Sequence, residues 1–237
     1  MKKVIVITGA SSGIGRAIAL GFGVRKTELC LVGRNIEALE ETAFLAQRNG
    51  ALRIRCYQFD LSIEKNIIEL SNRIKDDFGH VDILVHSAGM ILLSRLEISR
   101  VDDFDQQFKI NVRSPFLLTQ ALLPMIKQHR GQIAFINSSA GLNAGVNTGQ
   151  YASTKHALKG LSDSLRNEVN PYGVRVISIY PGRTATPMQA KVHQMEGKTY
   201  CPERLLQPED VASAVIFALS MPLTAEITDI SIRPMQK

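Results

Sequence analysis

The strongest constraint in this chain is an alternation. Short runs rich in β-branched residues, several unbroken by a polar side chain (Val4-Ile5-Val6-Ile7; Ile83-Leu84-Val85), recur between stretches of helical period. A strand that is apolar at successive positions sends apolar groups to both faces and must be covered on both. The runs predict strands over Lys3–Thr8, Glu28–Gly33, Leu52–Phe59, Asp82–His86, Gly131–Asn137, Val174–Tyr180 and Asp229–Arg233. In the stretch Ser62–Phe78, Ile63, Ile67, Leu70, Ile74 and Phe78 recur at steps of three and four, with Ser62 as N-cap and Gly79 as terminator. Pro208-Glu209-Asp210 opens a second clear helix, whose apolar stripe is Val211, Ala214, Val215 and Ala218. Strand and helix taking turns this regularly predict one α/β domain over residues 1–237, a doubly wound parallel sheet of about seven strands with helices on both faces. Arg183–Gln207, with Pro187 and Pro202 and mixed polarity, is long for a loop and is predicted as a lid or a disordered piece.

A chain of 237 residues buries enough surface to hold a core without staples. No apolar run approaches the ~20 residues that span a bilayer. Met1-Lys2-Lys3 precedes an apolar run too short for a signal peptide, so the start reads as the first strand of a cytoplasmic protein. Cys30, Cys56 and Cys201 form no CxxC and no metal spacing; no metal is expected, and Cys30 and Cys56 read as buried thiols. The charge balance, 28 Lys+Arg against 22 Asp+Glu, leaves +6, but the cations are scattered and track no nucleic-acid backbone. An anionic small molecule or cofactor accounts for the surplus more simply.

In a doubly wound sheet, ligands bind beyond the carboxyl ends of the strands. The first strand runs into Thr8-Gly9-Ala10-Ser11-Ser12-Gly13-Ile14-Gly15, with a helix expected from about Arg16 to Phe22. Glycines at such a turn admit a pyrophosphate close to the backbone, and N–H groups at the helix start face it. The GxGxxG spacing is not met, yet a glycine-rich strand-to-helix junction at this position predicts a Rossmann-type dinucleotide site over Gly9, Ser11, Ser12, Gly13, Ile14 and Gly15. The second strand ends Gly33-Arg34, without the carboxylate that an NAD ribose requires. The Arg34 guanidinium can pair with a 2′-phosphate, so NADP(H) is expected over NAD(H). Asp60 and Leu61 after the third strand, and Ser87, Ala88 and Gly89 after the fourth, are placed for the adenosine; His86 reads as a packed strand-end histidine.

Tyr151 and Lys155 lie four apart in a helical context and share a face, while Ser138 ends the fifth strand. A free phenol titrates near pH 10. A neighbouring ammonium and an oxidised nicotinamide favour its phenolate, so Tyr151 is expected to titrate lower and to exchange a proton with a substrate alkoxide as hydride arrives at carbon. Ser138 would hydrogen-bond the same oxygen.

These segments together resemble the short-chain dehydrogenase/reductase family over essentially the whole chain: Thr8–Gly15, Asp60-Leu61-Ser62, Ser87-Ala88-Gly89, Asn111-Val112-Arg113-Ser114, Ser138 with Tyr151 and Lys155, and Pro181-Gly182 with Thr186. The spacing of 13 from Ser138 to Tyr151 is the family's, and it selects Ser138 over Ser139. The resemblance implies a tetrad of Asn111, Ser138, Tyr151 and Lys155, in which Lys155 also grips the nicotinamide ribose and Asn111 holds a water at the end of a proton relay. It implies that Pro181, Gly182, Thr184 and Thr186 cradle the nicotinamide, followed by a substrate lid. The family's usual Asn-Asn-Ala-Gly reads His86-Ser87-Ala88-Gly89 here. The implied activity is reduction of a carbonyl or oxidation of an alcohol with NADP(H); a catalytically silent NADP-binding sensor or scaffold is the alternative. A homodimer or homotetramer is implied through helices Phe104–Lys127 and Gln150–Val169, although Phe116, Leu117, Ala121, Leu122 and Met125 serve equally as intrachain core. In the lid, Met188, Val192 and Met195 beside Lys191, His193 and Lys198 are compatible with an apolar substrate carrying a negative group, and equally with a polar surface loop.

Overall fold

The computed structural model describes residues 2–235. Its strands are β1 (Val4–Thr8), β2 (Glu28–Gly33), β3 (Arg53–Gln58), β4 (Ile83–His86), β5 (Gln132–Ile136), β6 (Arg175–Pro181) and β7 (Asp229–Ile232), each within one residue of its predicted ends. The helices are α1 (Gly13–Gly23), α2 (Ile36–Arg48), α3 (Glu64–Phe78), α4 (Val101–Phe108), α5 (Ser114–Gln128), α6 (Gly149–Val169), α7 (Pro187–Met195) and α8 (Pro208–Leu219). All strands are parallel, in the order β3-β2-β1-β4-β5-β6-β7.

The unbroken apolar runs are shared between two cores. Ile5 and Ile7 of β1, Leu29 and Leu31 of β2, and Ile83 and Val85 of β4 pack with α1, α2 and α8. The intervening Val4, Val6, Cys30, Val32 and Leu84 pack with α3, α5 and α6 on the opposite face. Pleating turns a continuous run into two alternating sets, which is why these strands carry no polar face.

Three local expectations change. Helix α1 begins at Gly13 rather than Arg16, so the second half of the glycine turn is itself helical. The N-cap of α3 is Ile63, not Ser62; the Ser62 N–H and hydroxyl instead donate to Asp60 Oδ1 at 2.9 and 2.7 Å. The disordered alternative for 183–207 is not observed. Thr186 caps α7 through Gln189 N at 3.1 Å, and the ends of the segment are tied by Leu206 N to Arg183 O (3.1 Å) and Ala185 N to Leu206 O (2.7 Å). On α5, Leu122 is core, Leu117 and Met125 lean on it, and Phe116 and Ala121 face outward. Among the described residues, no helix is long and apolar enough to cross a membrane.

Order β1–β4 is where the chain changes direction of winding, and both strands are buried on both faces. Leu84, fully buried at the centre of β4, is therefore expected to be a core determinant. Leu84→Ala should cost about 2–5 kcal/mol, read as a fall in the denaturation midpoint with an unchanged slope.

Candidate active site

The carboxyl ends of β1 to β6 open into one cavity of about 450 Å³. At its floor the backbone is packed too closely for side chains. A Cβ on Gly9 (φ +68) would lie 2.8 Å from Ala88 N and 2.9 Å from Ser87 O. One on Gly15 would lie 2.3 Å from Gly9 O, and one on Gly13 (φ +53) 2.9 Å from Thr186 Cγ2. Only glycine meets both the positive φ and the contact at Gly9 and Gly13. Ser12 is the N-cap of α1 but its side chain makes no capping bond, leaving the first-turn N–H groups to an outside acceptor.

The Thr8 hydroxyl accepts from the N–H groups of both Ser87 and Ala88 at 3.0 Å. It thereby fixes the β4 exit against the glycine turn. Every residue nominated above for the nucleotide lies on the cavity wall, as do Ser138, Tyr151 and Lys155. Arg34 is exposed at the β2 end and makes no ion pair among the described residues, whereas Arg16 nearby is engaged by Glu41 (2.5 Å) and Thr42 (3.1 Å). His86 is off the wall: it bonds Thr119 Oγ1 at 2.8 Å, stacks on Phe135, and burial drops its pKa to about 3.

Asn111 is also off the wall. It sits in a π-helical turn (109–113) joining α4 to α5, 1% exposed. Its Oδ1 accepts from Met90 N (2.9 Å) while Nδ2 donates to Met90 O (2.9 Å) and Thr154 Oγ1 (3.0 Å). The side chain is thus committed to holding the segment after β4. One turn earlier, Gln107 accepts from Leu92 N (3.0 Å) and donates to Gln150 Oε1 (3.0 Å), a second clamp on the same segment.

Lys155 Nζ donates to Ile136 O at 3.1 Å and stands 5.7 Å from the centroid of the Tyr151 ring. Ser138 follows β5 by two residues and caps a tight turn by accepting from Ala140 N (3.1 Å). Beside it, Asn137 Nδ2 donates to Lys155 O at 3.1 Å, tying β5 directly to the turn of α6 that carries Lys155. Of the lid cations, Lys191 faces outward, His193 bonds Gln189 and packs on Tyr200, and Lys198 pairs with Glu196; none lies on the cavity wall. The wall is instead given Arg183 and Glu196, paired at 2.6 Å.

The family model for short chain dehydrogenase matches residues 3–197. The chain belongs to the short-chain dehydrogenase family. An uncharacterized oxidoreductase of Staphylococcus epidermidis is 34% identical to it over 235 residues, 99% of this chain and 98% of that protein. An alcohol dehydrogenase from the archaeon Thermococcus sibiricus, solved in complex with 5-hydroxy-NADP, superposes with a TM-score of 0.91 at 28% identity, covering 100% of this chain and 98% of that one. A metagenomic short-chain oxidoreductase in complex with NADP superposes with a TM-score of 0.84 at 26% identity, covering 99% and 98%.

For this short-chain dehydrogenase, the protein's own groups do not lower the tyrosine as expected. Burial pushes Tyr151 up to about 12, and the Ser138 hydroxyl beside it offsets this only in part. Burial also brings Lys155 down to about 8. Desolvation is the leading cause of both shifts. Thr8, Asn137, Gln107, Arg183 and Glu196 were not singled out from sequence. The only sign of Gln107 was a polar residue four before Asn111; the other pairings cross between elements.

A lysine whose folded pKa is below its unfolded value binds fewer protons when folded, so stability rises with pH across that window. The penalty of the buried Lys155 ammonium is present below pH 8 and fades toward 10.5. Lys155→Met should raise Tm at pH 7 by about 4 °C or more. The gain should shrink by pH 10, measured as the difference between variant and parent across the range. A pH-independent difference would contradict the assignment.

Proposed function

We propose that the protein is an NADP(H)-dependent oxidoreductase that interconverts a carbonyl compound and an alcohol, with Tyr151 as general acid–base. The convergence of Ser138, Tyr151 and Lys155 on the cavity reached by the glycine turn carries the reading. The residues present fit a dinucleotide. Backbone at Gly9–Gly15 and the open first turn of α1 suit a pyrophosphate, Asp60 to Leu61 and Ser87 to Gly89 the adenosine, and Pro181, Gly182, Thr184 and Thr186 the nicotinamide. The bound nicotinamide supplies or accepts a hydride at its C4.

The protein's own part is the proton. Tyr151, raised by burial, carries its proton at neutral pH and gives it to the substrate oxygen as that oxygen becomes anionic. Ser138 donates to the same oxygen and orients it. Lys155, fixed on Ile136 O, stabilises the phenolate that remains and binds the ribose. In the oxidising direction the phenolate takes the proton back. Asn111 and Gln107 act as positioning residues for the wall from Gly89 to Leu92.

Arg34, exposed and unpaired among the described residues, supports NADP over NAD, as do the relatives solved with NADP and 5-hydroxy-NADP. A guanidinium meets a 2′-phosphate in two-pronged fashion and has nothing comparable to hold on a 2′-hydroxyl. A silent nucleotide-binding protein gives no reason for a buried lysine 5.7 Å from a buried tyrosine ring. Self-association into a homodimer or homotetramer through α4 to α6 belongs to the same reading, with Phe108 and Phe116 exposed there.

Arg34→Ala should lower the ratio of kcat/KM for NADPH over NADH by about tenfold or more. An unchanged ratio would remove the cofactor assignment. Tyr151→Phe should cut kcat on a panel of ketones and 3-oxo esters by about 10²–10⁴-fold. NADPH binding, followed by fluorescence titration, should stay near the parent value; turnover surviving the substitution would contradict the role of the phenol.

A further inference from the structure

We propose that the substrate is a neutral, apolar carbonyl compound, and that the Arg183–Glu196 ion pair is what turns carboxylates away. The inference rests on the reading of the cavity as a reductase site. Beyond the residues assigned to the nucleotide and the catalytic trio, the wall includes Met90, Ile91 and Leu93 from the segment after β4, Ala140 from the turn after β5, and Met188 and Val192 from α7, and we take this part as the substrate end. Besides Lys155, which serves the tyrosine, the ionisable groups on this part of the wall are Arg183 and Glu196; Arg34 and Asp60 belong to the adenosine end.

Arg183 leaves the end of β6 and Glu196 follows the last turn of α7, so the pair joins the lid to the sheet. Arg183 NH2 donates to Glu196 Oε1 at 2.6 Å, and Lys198 Nζ lies 3.1 Å from Oε2 on the outer side. The Arg183 guanidinium holds the Glu196 carboxyl down at about 2, so it is ionised at any working pH. The cation that a substrate carboxylate would seek is already neutralised, and the group neutralising it carries the same sign as the newcomer. Such a substrate would lose water among apolar side chains and find the Arg183 guanidinium already paired. A ketone needs only Ser138, Tyr151 and the apolar walls. The sequence-based expectation of a negatively charged substrate depended on Lys191, His193 and Lys198, none of which reaches the cavity.

The test uses one ketone in two charge states, methyl 4-acetylbenzoate and 4-acetylbenzoate, with both calorimetric binding to the NADP-loaded protein and kcat/KM measured. The parent protein should favour the ester by at least tenfold in both. Glu196→Gln, which frees Arg183, should narrow the preference. Arg183→Met, which leaves Glu196 alone, should widen it. A merely structural role for the pair would move both variants the same way. That outcome overturns the proposal, as does equal binding of ester and carboxylate by the parent, or binding of neither. Ester preferred in binding but not reduced would leave the substrate class standing and sink the proposed reaction instead.

Discussion

The site depends on how closely the backbone after β1 approaches the backbone after β4. The two strands are neighbours in the sheet, but their connections leave toward opposite faces. A crevice opens between them as a consequence of topology alone. What gives that crevice a defined floor is local: one threonine hydroxyl accepting two N–H groups from the β4 exit, and a glycine whose missing Cβ lets the two backbones touch. Any side chain at Gly9 would push Ser87 and Ala88 outward, and with them the Gly89–Leu92 segment. Asn111 and Gln107 hold that same segment from below, so the wall is pinned from both sides by buried polar groups. Buried networks of this kind position well only when fully satisfied.

The cavity buries two titratable groups, Tyr151 and Lys155, side by side. Desolvation pushes the phenol toward its neutral form and brings Lys155 down to about 8, so at neutral pH a phenol lies beside an ammonium. The protein accepts the cost of the lysine because its partners are fixed independently: Nζ on the last carbonyl of β5, and its backbone carbonyl on Asn137. Tyrosine and lysine therefore keep their relative placement through one rigid helix turn, and their placement against Ser138 through the end of a central strand. Those are the stiffest parts of an α/β sheet.

The architecture was legible because a continuously apolar strand admits few arrangements. Once Val4–Ile7 and Ile83–Val85 must be covered on both sides, helices on both faces follow, and the strand ends fall within a residue. The glycine turn and the tyrosine–lysine spacing were legible for a similar reason, since each is a local pattern in one element. What could not be read were relations between elements. Ser62 looked like a cap because serine commonly is one, but a nearer acceptor, Asp60, took both its donors. The tyrosine was expected to be acidic because charge partners are visible in sequence, whereas burial is not. The lid's cations were visible as residues and invisible as directions.

The last point separates two arginines of the same cleft. Arg34 and Arg183 each follow a β-strand, and from composition alone each offers the same cation to an anionic ligand. Arg34 stands exposed, its backbone carbonyl bonded to Gln58 at 3.0 Å and its guanidinium free of ion pairs among the described residues. Arg183 is met by the Glu196 carboxylate from the end of α7. Affinity for an anion follows the unpaired charge rather than the residue type, because a satisfied guanidinium must first give up a hydrogen-bonded ion pair. One cleft thus carries an unpaired and a paired guanidinium among the described residues. The difference lies in twelve residues of intervening chain that fold Glu196 back onto Arg183.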